Sequence, residues 1–140
     1  MIKNINGMTL NLQGSILGFS ELNEYKLETI DQTVFVHLRS LEKPEISFIV
    51  TSPFDWYKDY LLNLDDHLKD KLKIENPEDT LILCIVTIRE PLNASTINLA
   101  APLIINIKEQ AGLQQVIQQT IYRPNNLLFD NLGSEGEAVE

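Results

Sequence analysis

The chain has 140 residues, 44% hydrophobic and 22% charged, a composition typical of one folded globular domain rather than a disordered segment. Its 20 acidic and 11 basic residues give a net charge of −9, which argues against nucleic-acid binding and favours a basic protein partner. The lack of a long apolar run, of a signal-peptide core and of a disulfide partner for Cys84 predicts a cytoplasmic protein without a membrane span.

Short apolar runs separated by turn residues predict a mainly β domain. We expect strands, in chain order, over residues 9–12, 26–30, 34–38, 46–51, 81–88, 103–107 and 113–121. Period-two alternation puts Ile46, Phe48 and Val50 on one face of a half-buried strand. The 81–88 run is almost wholly apolar and is predicted to be a central strand covered on both faces. The 113–121 run carries four glutamines and is expected to be more exposed.

One segment has helical spacing instead. Leu64, Leu68 and Leu72 recur every fourth residue, with Leu61 one turn earlier. Acidic residues come near the start of this segment and lysines near its end, which matches the polarity of a helix dipole. The pattern predicts one short amphipathic helix over about residues 64–73, followed by a stop at Pro77.

Candidate catalytic and metal-binding residues are few. His37, His67 and Cys84 are the available nitrogen and sulfur ligands, and no two of them share a metal-site spacing. Cys84 lies in the apolar run LILCIVTI, where a buried, unreactive thiol is expected. The adjacent acids at 65–66 and 78–79 are typical of caps and turns. We therefore predict no enzyme activity, no cofactor and no metal site, with an enzyme acting through Cys84 or these acids as a distant alternative.

The segment SPFDWYKDY (52–60) concentrates aromatic residues among acidic ones. Phe54, Trp56, Tyr57 and Tyr60 lie within seven residues, mixed with Asp55. Aromatic side chains mixed with charge after a strand-ending proline are typical of a protein-binding anchor. The alternative is that Phe54 and Trp56 cover one end of the barrel. We expect Tyr57 and Tyr60 to be the more exposed pair.

The segment STINLAAPLIINI (95–107) reads as a loop that leads into a strand. Pro102 has no backbone N–H, so it is expected at the first position of a strand or on an edge. Asn98 either holds the loop by bonding backbone groups or contacts a partner. Glu78 and Asp79 either supply acidity at the rim of an interface or form a turn and cap. Asn106 shares a strand face with Ile104, opposite Leu103, Ile105 and Ile107.

Three stretches carry a family resemblance: GFSELNEYKL (18–27), EKPEISFIVTSPFDWYKDY (42–60) and IENPEDTLILCIVTIREPLNASTINLAAPLIINI (74–107). Their most specific pieces are Pro44–Glu45, Pro53–Phe54, Pro77–Asp79 and the pattern TxNLxAPxxIN at residues 96–106. In this order they make residues 7–129 resemble the FliW family of flagellar assembly factors. The chain has Leu17 where the family has proline, and its stretch 122–129 is less basic than the family's.

The resemblance implies a single compact antiparallel β-barrel-like domain over residues 1–130, without catalytic activity. The acidic tail over 131–140 is peculiar to this chain, and its two glycines and few large apolar groups predict disorder. The resemblance also implies a monomer that binds CsrA, a basic RNA-binding repressor of flagellin mRNA, and alternately binds flagellin. The alternative is a flagellin-specific chaperone that does not bind CsrA. The candidate partner-binding residues are Phe54, Asp55, Trp56, Tyr57, Tyr60, Glu78, Asp79 and Asn98.

Overall fold

The structure, a computed structural model, describes residues 4–118 and 120–129. Within them the strands are β1 (Thr9–Asn11), β2 (Glu24–Thr29), β3 (Phe35–Ser40), β4 (Ser47–Thr51), β5 (Thr80–Thr87), β6 (Thr96–Ile97), β7 (Leu103–Asn106), β8 (Ala111–Gln114) and β9 (Asn126–Leu127). The helix α1 (Asp66–Lys71) lies between β4 and β5, and short 3-10 turns cover Pro53–Asp55, Pro77–Asp79 and Leu92–Ala94. The acidic tail predicted over 131–140 lies outside the described residues.

Seven of the strands form a closed barrel. Their hydrogen-bonding order is β4-β3-β2-β1-β8-β7-β5, and β5 pairs with β4 to close the circuit. Neighbouring strands are antiparallel except β1 and β8, which run parallel and meet at Asn11 and Ala111. The second half of β5 also pairs with β6, and β9 extends that edge. The predicted antiparallel barrel-like fold is confirmed.

Alternation along the strands separates the barrel interior from its outer face. Ile46, Phe48 and Val50 contribute to the interior core, as the sequence predicts. On β5, Leu83 faces the same core while Cys84 belongs to a second cluster outside the barrel. The predicted covering of this strand on both faces is therefore confirmed.

The helix α1 covers part of the outer face and is shorter than predicted. Leu68 and Leu72 are buried against Ile104 and Leu113. The Asp65 side chain accepts a hydrogen bond from the Leu68 N–H (2.8 Å), so the helix begins after Asp65. The residues before this cap lie outside the helix, and Leu61, one turn before the predicted start, is 73% exposed.

The strand predicted over 113–121 is also shorter, because β8 ends at Gln114. The next residues continue the pairing on one side only: the N–H groups of residues 115 and 117 donate to Pro102 and Ala100 carbonyls (2.9 and 2.8 Å). Pro102 has no N–H to return a bond, and the Ala100 N–H donates elsewhere. The ladder therefore stops where a proline precedes the partner strand, and Pro102 lies directly before β7, one residue ahead of the predicted first position.

Candidate protein-docking surface

Trp56 covers the outer face of the barrel. The chain leaves β4 through Pro53, turns, and brings the indole over the sheet, where Trp56 is buried. Its Nε1 donates to the Thr51 hydroxyl (3.1 Å), and its ring stacks on Phe35 with centroids 5.6 Å apart. Phe129 packs edge-on against the same ring. Trp56 therefore covers the outer face of the sheet, whereas the predicted alternative had it cover one end of the barrel.

Tyr60 is buried as well, so the expectation that it is exposed is wrong. Only 4% of its surface is accessible, and its hydroxyl donates to the Leu99 carbonyl (2.7 Å). The ring of Tyr122 lies 4.7 Å away, and burial raises the pKa of the Tyr60 hydroxyl. Tyr57 is half-buried, with its hydroxyl donating to the Leu127 carbonyl. Both tyrosines hold the 122–129 segment against the barrel.

Phe54 is the member of the aromatic segment that remains accessible. It is 44% exposed although its ring contacts Tyr60 edge-on, with centroids 5.7 Å apart. It lines a surface groove of about 550 Å³, which we call the Phe54 groove. The apolar lining of this groove is Phe54, Leu62, Leu64, Ile74, Pro77 and Ile82. An exposed aromatic ring beside an apolar groove is suited to anchoring another protein.

The predicted acidic residues do not line this groove. Glu78 follows the lining residue Pro77 in the chain and is exposed. Asp55 follows Phe54 and is exposed, but it lines a different groove, formed with residues 29–36. Asp79 is half-buried, and its carbonyl accepts the Ile107 N–H (2.8 Å), which fixes the turn. The charged residues that the fold brings to the groove beside Phe54 are Glu75 and Lys69.

Asn98 has the loop-fixing role that was one of its two predicted alternatives. Its side-chain oxygen accepts the N–H groups of Ala100 and Ala101, both at 3.1 Å. These bonds shape the loop that leads to Pro102. Asn98 does not line the Phe54 groove.

A second groove was missed by the sequence analysis. It has a volume of about 560 Å³ and lies between residues 61–68 and residues 113–120; we call it the Leu61 groove. Leu61 and Val116 are exposed along it, and Ile121, close by in sequence, is 87% exposed. The signal that points to this region is the stretch 110–122, which contains no charged residue in a chain of net charge −9.

Charge on the described surface is mostly unpaired. Among residues 4–118 and 120–129, the only ion pair is Arg39 with Glu28 (3.0 Å). The exposed carboxylates of Asp55 and Glu78 therefore have no cation at salt-bridge distance in this part of the chain, whereas Lys69 lines the Phe54 groove itself. Such carboxylates attract a basic partner over several ångströms and set the salt dependence of its binding.

The side chains that could bind a metal or act in catalysis are far from one another or buried. No three His, Cys, Asp or Glu side chains of the described residues converge as metal ligands. Cys84 is fully buried, and burial raises the pKa of its thiol to about 12 although a hydrogen bond with Tyr60 lowers it. His67 is exposed on α1 and His37 is half-buried on β3. None of the helices in this part of the chain has the length and apolarity needed to cross a bilayer.

Fold and surface together define a small closed β-barrel with grooves on its outside, of which the Phe54 groove is mainly apolar. The family model described as FliW protein matches residues 2–127 of the chain. The flagellar assembly factor FliW of Clostridium novyi (strain NT) is 42% identical over 121 residues, which cover 86% of this chain and 85% of that protein. The same factor of Clostridioides difficile (strain 630) is 36% identical over 116 residues, or 82% and 89% of the two chains.

A crystal structure of the flagellar assembly factor FliW superposes with a TM-score of 0.80 at 28% identity, and the match covers 91% of this chain and 90% of that one. The chain belongs to the FliW family of flagellar assembly factors.

Proposed function

We propose that this chain is a non-enzymatic, monomeric cytoplasmic regulator that binds CsrA and flagellin alternately. While flagellin occupies it, CsrA is free to repress flagellin mRNA; once flagellin has been exported, the chain captures CsrA and repression is relieved. Family membership carries this proposal. The net charge of −9 and the unpaired exposed carboxylates support it, because they favour a basic protein and disfavour RNA.

Within this proposal, CsrA contacts the Phe54 groove. Phe54 is the buried anchor of the complex, and Asp55 and Glu78 supply acidity at its rim. Trp56, Tyr57, Tyr60, Asp79 and Asn98 act by holding the scaffold, since their side-chain or backbone bonds are internal. The binding unit is residues 1–130, and 131–140 is an acidic tail outside it.

The first test is calorimetric titration of this protein into the purified CsrA of the same organism, at low and at moderate salt. The proposal predicts tight binding that weakens as salt rises, because exposed charges are screened. No binding at either salt would remove CsrA as a partner. Binding to flagellin alone would then establish the alternative, a flagellin-specific chaperone.

Matched variants locate the interface. Phe54→Ala is expected to weaken CsrA binding by 10-fold or more (on the order of 2 kcal/mol), as truncating a hot-spot aromatic does. Leu92→Ala is the control, because Leu92 is similarly exposed and lines neither groove. Glu78→Gln should reduce the salt dependence of binding, whereas Glu90→Gln should not. Equal effects of the Phe54 and Leu92 variants would place the interface elsewhere.

A further inference from the structure

Asn6 and Gly7 lie in the turn that leads into β1. The Met8 N–H donates to the Ile5 carbonyl (3.0 Å), and Gly7 has a φ of +85°, so the segment is a type II turn with glycine at its third position. Gly7 and Met8 then both face Leu27. The Gly7 N–H donates to the Leu27 carbonyl (2.7 Å), and the Leu27 N–H donates to the Met8 carbonyl (2.8 Å). This pattern is a β-bulge that begins with a left-handed glycine, so the fold favours glycine directly after Asn6.

Asparagine followed by glycine is the dipeptide in which an asparagine side chain most readily loses its amide group. Glycine has no side chain to hinder the attacking backbone nitrogen, and its backbone reaches the conformations that the attack requires. Asn6 is the one asparagine of the sequence that glycine follows. Both residues are exposed, so water reaches them. The pair therefore has the chemistry of a deamidation site.

Deamidation here is an exchange of bonds at Cγ of Asn6. Hydroxide takes the proton of the Gly7 amide nitrogen, and this nitrogen attacks Cγ. The new N–Cγ bond closes a cyclic imide, the Cγ–Nδ2 bond breaks, and Nδ2 takes a proton from water and leaves as ammonia. Water then opens the imide at either of its carbonyls. The product has aspartate or isoaspartate at position 6 and carries one additional negative charge.

The folded turn engages both reacting groups. The Gly7 N–H is bonded to the Leu27 carbonyl, so it does not lose its proton to hydroxide while that bond lasts. The Asn6 Oδ1 accepts the Thr29 N–H (2.9 Å), which ties the side chain to the end of β2. The fold thus restrains the nitrogen that attacks and the side chain that is attacked.

We propose that Asn6 is a modification site that the folded turn keeps unreacted, so that deamidation marks molecules in which the turn has opened. The two products differ in their effect on the fold. Aspartate keeps an oxygen that accepts the Thr29 N–H, so the turn closes again. Isoaspartate adds a methylene group to the backbone inside the turn, which breaks the register with Leu27 and displaces Ile5, a core residue 3% exposed. A molecule that forms isoaspartate therefore stays open at this turn.

Mass spectrometry of the peptide that contains Asn6 provides the test, after incubation of the protein at mildly alkaline pH in native buffer and in urea. Deamidation raises the peptide mass, and fragmentation distinguishes isoaspartate from aspartate. Asn6 should convert about 10-fold or more faster in urea than in native buffer, because the reaction requires an open turn. Exposed Asn93, which Ala94 follows, is the internal control and should convert more slowly than Asn6 in urea. Equal rates at Asn6 in the two conditions would refute protection by the fold, and equal rates at Asn6 and Asn93 in urea would refute the site.

Two variants of Thr29 test the restraint on the side chain. Thr29→Pro removes the N–H that Asn6 accepts, whereas Thr29→Ala keeps it. In native buffer, conversion of Asn6 should be about 10-fold faster in Thr29→Pro and unchanged in Thr29→Ala. A folded Thr29→Pro variant with the wild-type rate would refute the restraint.

Thermal unfolding supplies a second test that does not depend on the Thr29 variants. Asn6→Asp reproduces one product and should unfold near the wild-type Tm. The separated isoaspartate form has the same charge and should unfold at a lower Tm, because its backbone no longer fits the turn. Equal Tm values for the two forms would contradict the proposed effect of isoaspartate on the fold.

Discussion

We expect Asn106→Ala to destabilise the protein more than removal of any other side-chain amide described above. Asn106 lies on β7 and is 1% exposed. Its Nδ2 donates to the carbonyls of Leu72 and Lys73 (2.8 and 3.0 Å), which end α1. Its Oδ1 accepts the N–H groups of Lys108 and Glu109 (3.0 and 3.2 Å) in the turn before β8. One side chain thus joins the helix end to a barrel turn.

The expected loss follows from these four bonds. Each bond contributes about 1 kcal/mol net, and a buried carbonyl left without a donor costs about 1–3 kcal/mol. The two turn N–H groups are only partly buried, so water replaces part of what they lose. We therefore expect Asn106→Ala to lower the free energy of unfolding by about 3 kcal/mol. Asn98→Ala, which removes two partly buried bonds, should cost about 1 kcal/mol.

Urea unfolding measures both variants, with the free energy compared at unchanged slope. Asn106→Asp separates the two halves of the side chain, because it keeps an acceptor for the turn but points an anionic oxygen at two carbonyls. It should be less stable than Asn106→Ala at neutral pH. If Asn106→Ala cost no more than Asn98→Ala, the assigned role of Asn106 in joining helix and turn would be refuted.

Three further predictions concern packing and titration. In Gly112→Ala the added Cβ would lie 2.5 Å from the Ile104 carbonyl oxygen, so we expect the free energy of unfolding to fall by about 2–4 kcal/mol. In the control Gly7→Ala the added Cβ has no atom within 4 Å, so only backbone strain of about 1 kcal/mol is expected. Equal denaturant midpoints for the two variants would contradict this prediction. Burial raises the pKa of Cys84 from 9.0 to about 12, so the stabilising contribution of the protonated thiol is complete below pH 9.0 and is lost as pH rises toward about 12. Cys84→Ala should make the free energy of unfolding fall less steeply over this pH range. Rapid labelling of the native thiol by a disulfide reagent would contradict the burial. Tyr60→Phe keeps the ring and loses the bond to the Leu99 carbonyl, so thermal unfolding should show a loss of about 1–2 kcal/mol, and an unchanged Tm would exclude that role.

Local patterns in the sequence predicted the barrel strands, because alternating apolar and polar residues indicate which face of a strand is buried. Ile46, Phe48 and Val50 are one example, and the apolar β5 run, covered on both faces, is another. The leucine spacing located α1, but its first residue depends on the Asp65 cap rather than on the apolar period. The helix therefore begins two residues after the predicted residue 64.

The candidate surface was less predictable, because exposure there depends on contacts between distant parts of the chain. Tyr60 is buried by Leu99 and Tyr122, which nothing near residue 60 in the sequence indicates. The end of β8 at Gln114 depends on Pro102, which precedes the partner strand, and not on residues 115–118 themselves. Phe54, which was expected to be less exposed than Tyr57 and Tyr60, is 44% exposed, because local composition does not separate exposed from buried aromatic residues.

The seam between β1 and β8 has a consequence for the synthesis of the protein. Asn11 and Ala111 are separated by ~100 residues, so the ribosome completes β1 to β7 before the barrel has the strand that closes it. During that interval β1 has β2 as a neighbour and an uncovered edge on its other side. Uncovered edges on nascent chains promote misassembly, and long-range closure makes folding slow. The stage at which this protein is most vulnerable is therefore its translation, in the time before residue 111 becomes available.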